Sequence, residues 1–310
     1  MAMKLSVVST LYRSRRFLES FLDQMLAAIN ETSFEEYELV FVNDGSPDDS
    51  LDYLLERKKD WPQIKLLDLS RNFGHHYAIQ AGLSYASGDY VFLIDNDLET
   101  PPSVLVEYYG EFRANPELDV VYGYQETRKG GFLEKFSGNL FWNMINKMSD
   151  TKIPHNILTE RLMTRQYVEE LLKLRDANVF IGGMMHWVGF DQKGVPVKKG
   201  QREGASTYSI GRRLELMLQA VTSFSGKPLE WLFYIGLLIS VGSILFLLYL
   251  GGKKIMYGDE VQLGWTSIIA INVLMLGVIS TFLGIIGIYI YKIFKQVQGR
   301  PNTIVKKIYE

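Results

Sequence analysis

The stretch Tyr90-Val91-Phe92-Leu93-Ile94-Asp95-Asn96-Asp97 joins a short apolar run to two carboxylates separated by one residue. Such a run, bounded by turn residues, predicts a buried strand over residues 90–94, with the acidic pair at its end. Upstream the pattern recurs, where a strand over 37–43 runs into Val42-Asn43-Asp44-Gly45-Ser46. Further strands are predicted over 4–10, 64–69 and 119–122. Between them, residues 14–30, 48–59, 76–86 and 103–114 carry helical patterning, and Ser46-Pro47-Asp48-Asp49 supplies caps and an early proline. This alternation through residues 1 to about 210 predicts an α/β fold, a mostly parallel sheet with helices on both faces. Ligands of such sheets bind beyond the carboxyl ends of the strands, where Asp44, Asp95 and Asp97 fall.

Two carboxylates spaced as Asp95-x-Asp97 can converge on one hard divalent cation, Mg²⁺ or Mn²⁺, that shares its other positions with a diphosphate. A solvated acidic turn is the plain alternative. Asp44 can accept hydrogen bonds from a nucleobase or ribose, or serve as a turn residue before the helix at Asp48. Ser70-Arg71-Asn72-Phe73-Gly74-His75-His76 follows the third strand and sets a cation beside a glycine turn. The adjacent imidazoles point in different directions on a helix, which argues against a paired metal site. No glycine precedes Gly45 and no Gly-Lys-Ser/Thr occurs, so neither a dinucleotide fingerprint nor a P-loop is present.

Composition narrows the class further. The 310 residues include no cysteine, which excludes disulfide staples and Cys-ligated zinc. Lys+Arg number 33 and Asp+Glu 35, a net charge of −2 that argues against a nucleic-acid binder. With 47% hydrophobic and 22% charged residues, the chain has ample material for a core.

No charged residue occurs over 231–250 or over 261–291. Each run is long enough to cross a bilayer core of about 30 Å, so two transmembrane helices are expected. Arg212, Arg213 and Lys227 precede the first, and Lys292, Lys295, Arg300, Lys306 and Lys307 follow the second. By the positive-inside tendency, the N-terminal portion and the C-terminal tail are expected in the cytoplasm. Residues 210–221 have amphipathic patterning suited to the membrane interface. Gly236, Gly242, Gly277 and Gly284 offer small-residue faces for helix association, hence an expected homo-oligomer of unspecified size.

Taken together, Asn43-Asp44-Gly45-Ser46, Ser70-Arg71-Asn72-Phe73-Gly74, Asp95-Asn96-Asp97-Leu98 with Pro101-Pro102, and the terminal apolar pair resemble the family 2 inverting glycosyltransferases that load sugars onto polyprenyl phosphate. The resemblance spans essentially the whole chain. It implies a GT-A catalytic domain over residues 1–209, a juxtamembrane helix over 210–229, two membrane helices within 230–292 (about 231–250 and 263–291) and a basic tail over 293–310. It also implies Mg²⁺ or Mn²⁺ at Asp95 and Asp97, and nucleotide-sugar recognition by Thr10, Tyr12, Asp44, Asn72 and Asp95. The expected reaction transfers one sugar from a nucleotide donor, UDP-linked on family grounds, to a membrane polyprenyl phosphate such as undecaprenyl phosphate.

Two segments depart from the family pattern. The family's Pro-x-Tyr-Asn-Glu after the first strand is replaced by Ser9-Thr10-Leu11-Tyr12-Arg13-Ser14, and its Asp-Phe-Arg-Leu by Thr159-Glu160-Arg161-Leu162. The usual base is therefore missing. A lipid phosphate, with a second pKa of about 6, is already an oxyanion at neutral pH and needs little help from a base. Arg161 is the expected acceptor clamp and Glu160 an orienting residue, against the plain reading of an ion pair on a short surface helix. Arg202-Glu203-Gly204-Ala205-Ser206-Thr207-Tyr208 resembles a family segment before the membrane, so Arg202, Ser206 and Tyr208 are expected at the acceptor and diphosphate; Arg128-Lys129-Gly130-Gly131 is a further cationic stretch expected there, with a plain solvated turn as its alternative. A non-catalytic GT-A scaffold and a small processive polysaccharide synthase are the competing readings. A transporter would leave the large soluble portion unexplained, and neither apolar run holds an ionisable Asp, Glu, Lys, Arg or His.

Overall fold

The computed structural model describes residues 3–125, 156–197, 227–257 and 265–310. Its first half follows the expected alternation: β1 (Lys4–Leu11), α1 (Arg15–Asn30), β2 (Glu36–Asn43), α2 (Ser50–Arg57), β3 (Ile64–Leu69), α3 (His75–Tyr85), β4 (Tyr90–Leu93), α4 (Val104–Ala114) and β5 (Val120–Tyr124). Beyond these come β6 (Ile157–Thr164), α5 (Arg165–Lys173), α6 (Ile181–Trp187), β7 (Gln192–Pro196), α7 (Lys227–Tyr257), α8 (Trp265–Gln298) and β8 (Val305–Tyr309).

The eight strands among the described residues form one sheet in the order β7-β5-β6-β4-β1-β2-β3-β8. Pairing is parallel between β1 and β2, β1 and β4, β2 and β3, and β5 and β7. It is antiparallel where β6 lies between β4 and β5, and where β8 joins β3.

Strand alternation divides the core between the two faces. Val7, Leu39, Phe41 and Phe92 pack with Leu18, Phe21 and Met25 of α1 and Leu105 and Tyr108 of α4. Val8, Val40, Val42, Val91 and Leu93 pack on the other side with Ala78 and Ile79 of α3, Val168 and Leu171 of α5, and Met184 and Met185 of α6. Helix α3 lies so close to the sheet that a Cβ at Gly82 would stand 2.6 Å from Val8 Cγ1 and 2.9 Å from Val42 Cγ2. That contact fixes where the N-terminus of α3 meets the strand ends.

The segment holding Thr159, Glu160 and Arg161 corrects the short-helix reading. It is the inner strand β6, with Arg161 registered against Leu93 and Tyr122. Its alternation Leu158, Glu160, Leu162 against Arg161, Met163 was obscured by charges that the fold buries. Within the basic segment 293–310, the last residues form a strand. Val305–Tyr309 pairs with β3 because the β-branched and aromatic residues of Val-Lys-Lys-Ile-Tyr match an otherwise open strand edge.

Helices α7 and α8 cover the two apolar runs, and many of their large side chains, including Phe233, Leu238, Leu245, Leu276 and Leu283, are exposed. Among the described residues, one helical segment, Met275–Gln298, is long and apolar enough to cross a membrane, with a mean hydropathy of 1.8. The amphipathic segment 210–221 lies outside the described residues.

Candidate active site

The carboxyl ends of β1, β2 and β4 converge because these strands are parallel neighbours. At the end of β4, the buried side chain of Asn96 donates to Ser9 Oγ at 3.1 Å and to the Thr10 carbonyl at 2.7 Å. Asn96 thus pins the acidic turn to the end of β1. Its neighbours Asp95 and Asp97 are both partly solvent-accessible. Asp97 Oδ1 accepts the Glu99 backbone N–H at 3.0 Å, which orients that carboxylate. The backbone supports the turn with Leu98 at φ 59°.

At the end of β2, Asp44 is 3% exposed. Its two oxygens accept the N–H groups of Phe73 at 2.7 Å and Gly74 at 3.0 Å, while Asn72 Nδ2 donates to the Asp44 carbonyl at 2.9 Å. Burial raises the Asp44 pKa, opposed by those N–H groups and by His75 and Arg71. The loops after β2 and β3 interlock tightly: Gly45 has φ +63°, and a Cβ there would stand 2.7 Å from Asn72 N. Asn43 joins the same junction by donating to Asp68 Oδ1 at 2.7 Å and accepting Ser46 N–H at 3.0 Å.

His75, the first residue of α3, joins the strand ends. Its Nδ1 lies 3.0 Å from Thr10 Oγ1 and its Nε2 3.6 Å from Asp95 Oδ1. Desolvation lowers the His75 pKa against the pull of Asp44, Glu160 and Asp97. The next imidazole, His76, turns away to the Val179 carbonyl at 3.1 Å. Sequence reasoning passed over His75 because it weighed the histidines as a metal pair. The available signal was its place, immediately after the glycine that starts α3.

The structure thus brings Thr10, Asp44, Asn72, Asp95 and Asp97 together around His75 and the start of α3. Tyr12 stands at the rim of this group, 51% exposed, with its N–H donated to Ser14 Oγ at 3.2 Å. Glu160 and Arg161 lie beneath it and are each 1% exposed. Glu160 Oε2 has no hydrogen-bond partner among the described residues. Arg161 Nε and Nη2 donate to the carbonyls of Thr159 at 3.2 Å and Leu158 at 3.3 Å, and Nη1 has no such partner. Burial lowers the Arg161 pKa, while Tyr167 and Glu160 oppose that shift. In this conformation Arg161 supports the strand end and does not face solvent. Arg128, Lys129, Arg202, Ser206 and Tyr208 lie outside the described residues.

The donor chemistry fits a hard divalent cation: Asp95 and Asp97 supply oxygen ligands at an accessible strand end. No group of three or more His, Cys, Asp or Glu side chains suited to a metal occurs among the described residues. Substrate oxygens or water would have to complete the coordination.

This sheet, with its acidic strand ends, defines a GT-A-type transferase domain. Residues 6–172 match the family model described as "Glycosyl transferase family 2". YkcC of Bacillus subtilis, an uncharacterized glycosyltransferase, is 35% identical across 98% of this chain and 94% of its own length. The SfII prophage-derived bactoprenol glucosyl transferase of Shigella flexneri is 31% identical across 98% of each chain. Among solved structures, the mannosyltransferase PcManGT of Pyrobaculum calidifontis, in complex with GDP-Man and Mn²⁺, aligns with TM-score 0.50 at 16% identity. That alignment covers 96% of this chain and 87% of PcManGT. The chain belongs to glycosyl transferase family 2 and is a glycosyltransferase.

Proposed function

We propose that this glycosyltransferase moves a single sugar, with inversion, from a UDP-linked donor to polyprenyl phosphate at the cytoplasmic face of a membrane. The observation that carries the reading is the convergence of Asp44, Asp95 and Asp97 around His75 at the sheet's carboxyl edge. The bactoprenol glucosyl transferase of Shigella flexneri, similar over nearly the full chain, supports a polyprenyl acceptor. Support for membrane placement comes from Met275–Gln298 and from the exposed apolar surface of α7, which together suit a two-helix anchor.

Asp95 and Asp97 would hold Mg²⁺ or Mn²⁺, which when bound draws negative charge from the departing diphosphate. Asp44 and Asn72 shape the nucleotide end of the cleft, and Thr10 and Tyr12 flank it. His75 stands between the side chains of Asp95 and Thr10. The acceptor phosphate oxygen forms a bond to the anomeric carbon from the face opposite the nucleotide, while the bond from that carbon to the diphosphate breaks. Nucleoside diphosphate leaves with its electron pair. Because the phosphate is already anionic, Thr159 in place of an aspartate is compatible with turnover. Glu160 orients the floor of the site. Arg161 supports it from beneath, and acts as an acceptor clamp only if its side chain moves outward. Arg202, Ser206 and Tyr208 are assigned to the acceptor and diphosphate from the family resemblance, Arg128 and Lys129 join them as a cationic glycine-rich stretch, and association through the apolar helices gives a homo-oligomer.

Membranes containing the full chain, incubated with Mg²⁺, labelled nucleotide sugars and undecaprenyl phosphate, test this directly. Label in mild-acid-labile lipid from one donor, absent with Asp97→Asn, is the expected result. Transfer to soluble acceptors alone, or equal labelling by the variant, would overturn it.

A further inference from the structure

Where α8 ends, the chain encloses an open cleft of 610 Å³ distinct from the strand-end site. Its walls come from the second half of α3, the end of α5 and residues 295–303. Arg175, Lys295 and Arg300 line it, and no carboxylate side chain does. None of the three makes an ion pair with a described residue. Lys295 lies 5.4 Å from the Tyr291 ring centroid, and Arg175 and Arg300 are exposed. With no carboxylate among the described residues paired to them, these three cations give the concavity a local positive potential that an anion would neutralise.

The cleft is built by specific bonds rather than by loose surface chains. Gln296 Nε2 donates to the Arg175 carbonyl, and Gln296 Oε1 accepts the Ala177 N–H, both at 2.8 Å. Asn302 Nδ2 reaches Gln80 Oε1 and the Asp176 carbonyl, both at 3.0 Å. Ser70 N–H donates to the Ile304 carbonyl at 2.9 Å, where the chain enters β8. These contacts hold α3, α5 and the end of α8 at fixed spacing.

Its location selects among anions. Lys295 falls within Met275–Gln298, the apolar helical segment, and Arg300 lies two residues beyond it. Cations at the end of a membrane helix sit at headgroup depth, where each contributes attraction to anionic lipid. We propose that this cleft binds the phosphate headgroup of an anionic membrane phospholipid, with Arg175, Lys295 and Arg300 around the phosphate and the acyl chains along α8. The bound lipid bridges the membrane helix to α3, whose first residue is His75 of the candidate active site. This inference rests on the membrane placement proposed above, and carbonate extraction of membranes tests that placement separately from lipid selectivity.

The full chain, purified in detergent, would be titrated with phosphatidylglycerol, phosphatidylcholine, undecaprenyl phosphate or inorganic phosphate, and retained lipid counted by native mass spectrometry. Phosphatidylglycerol is expected to bind in preference to phosphatidylcholine, with affinity reduced roughly fivefold for each cation removed in Arg175→Gln, Lys295→Gln and Arg300→Gln. Arg300→Lys, which keeps the charge, should retain most of the binding. Equal retention of the two phospholipids, or unchanged selectivity in the triple variant, would overturn the proposal. Inorganic phosphate competing as well as the lipid would make this a soluble-anion site, and preference for undecaprenyl phosphate would make it an acceptor site. Both outcomes reject the phospholipid assignment. Resistance to carbonate with no lipid preference would sink this inference and leave the membrane reading standing.

Discussion

His75 Nε2 lies 3.6 Å from Asp95 Oδ1, while the other ring nitrogen meets Thr10 Oγ1 at 3.0 Å. One imidazole therefore stands between the side chains at the ends of β1 and β4, whose backbones are already joined by strand pairing and by Asn96. Replacing the imidazole should leave the sheet intact and loosen the acidic turn. His75→Ala is expected to lower kcat/KM for the nucleotide sugar about tenfold, from loss of one orienting polar contact of about 1.5 kcal/mol. His75→Gln, which can still reach Asp95, should recover more activity than His75→Asn, which can still reach Thr10. Donor-dependent kinetics of the three variants check this, and equal kcat/KM in all of them would remove His75 from the site.

Asp97→Asn should reduce transfer by roughly two orders of magnitude or more while leaving the melting temperature nearly unchanged. The carboxylate is partly exposed and makes one local backbone contact, to Glu99 N–H, that an amide oxygen can also accept. Loss of activity without loss of fold separates charge at the reacting centre from scaffold. Added Mn²⁺ that restored full turnover in the variant would contradict the assignment.

Asp44 has a different balance, because both of its oxygens receive backbone N–H groups. In Asp44→Asn one of those positions becomes an NH₂ facing another donor. A buried N–H left without an acceptor costs about 1–3 kcal/mol, so this variant should lose stability as well as donor affinity. Thermal unfolding with and without nucleoside diphosphate distinguishes the two effects. An unchanged melting temperature would show that the loop after β3 does not depend on this carboxylate.

Acid should destabilise the protein in two successive windows. His186 is held down to about 4 by burial and the Arg161 charge. The unfolded chain then binds the proton more readily, so stability present above about pH 6.5 is lost as pH falls toward 4. Glu38 accepts bonds from Ser6 at 2.6 Å and Ser87 N–H at 2.6 Å and pairs with Lys65 at 2.9 Å. These contacts outweigh burial and lower its pKa to about 2. Its contribution of about 3 kcal/mol is complete above about pH 4.5 and fades as pH falls toward 2. Glu38→Gln should destabilise at pH 7 and flatten the lower window, and His186→Phe should flatten the upper one. Melting midpoints measured from pH 7 downward would show either window or its absence.

The local signals were sufficient wherever a strand and its helix are neighbours in sequence. The repeated run from an apolar strand into Asp44 or Asp97 specified the edge on which the candidate site lies, and the helices α1 to α4 followed from their patterning. Tertiary pairing overrode those signals at β6 and β8. Glu160 and Arg161 look like surface charges until β4 and β5 close over both sides of their strand. Lys306 and Lys307 read as a basic tail, yet Lys307 pairs with Asp68 at the β3 edge, and Lys306, at the irregularity beside it, places Nζ 3.7 Å from the Asp68 carboxylate. Both cases depend on contacts between segments far apart in the chain, which no local pattern reports.

That closing strand carries the last prediction. Asp68 accepts from Asn43, beside Asp44, and faces Lys306 of β8. Ser70, at the start of the loop that binds Asp44, donates its N–H to Ile304. Deleting residues 302–310 from the full chain would strip the antiparallel partner from β3 and leave those backbone groups to water. The Asp44 loop would also lose its outer support. A lower melting temperature is expected together with a higher KM for the donor, and with kcat reduced less than KM is raised. Asn302→Ala, which leaves β8 in place, should show a smaller shift in the same direction. Full stability with unchanged donor KM in the truncated protein would mean that β8 covers an edge without supporting the nucleotide end of the site.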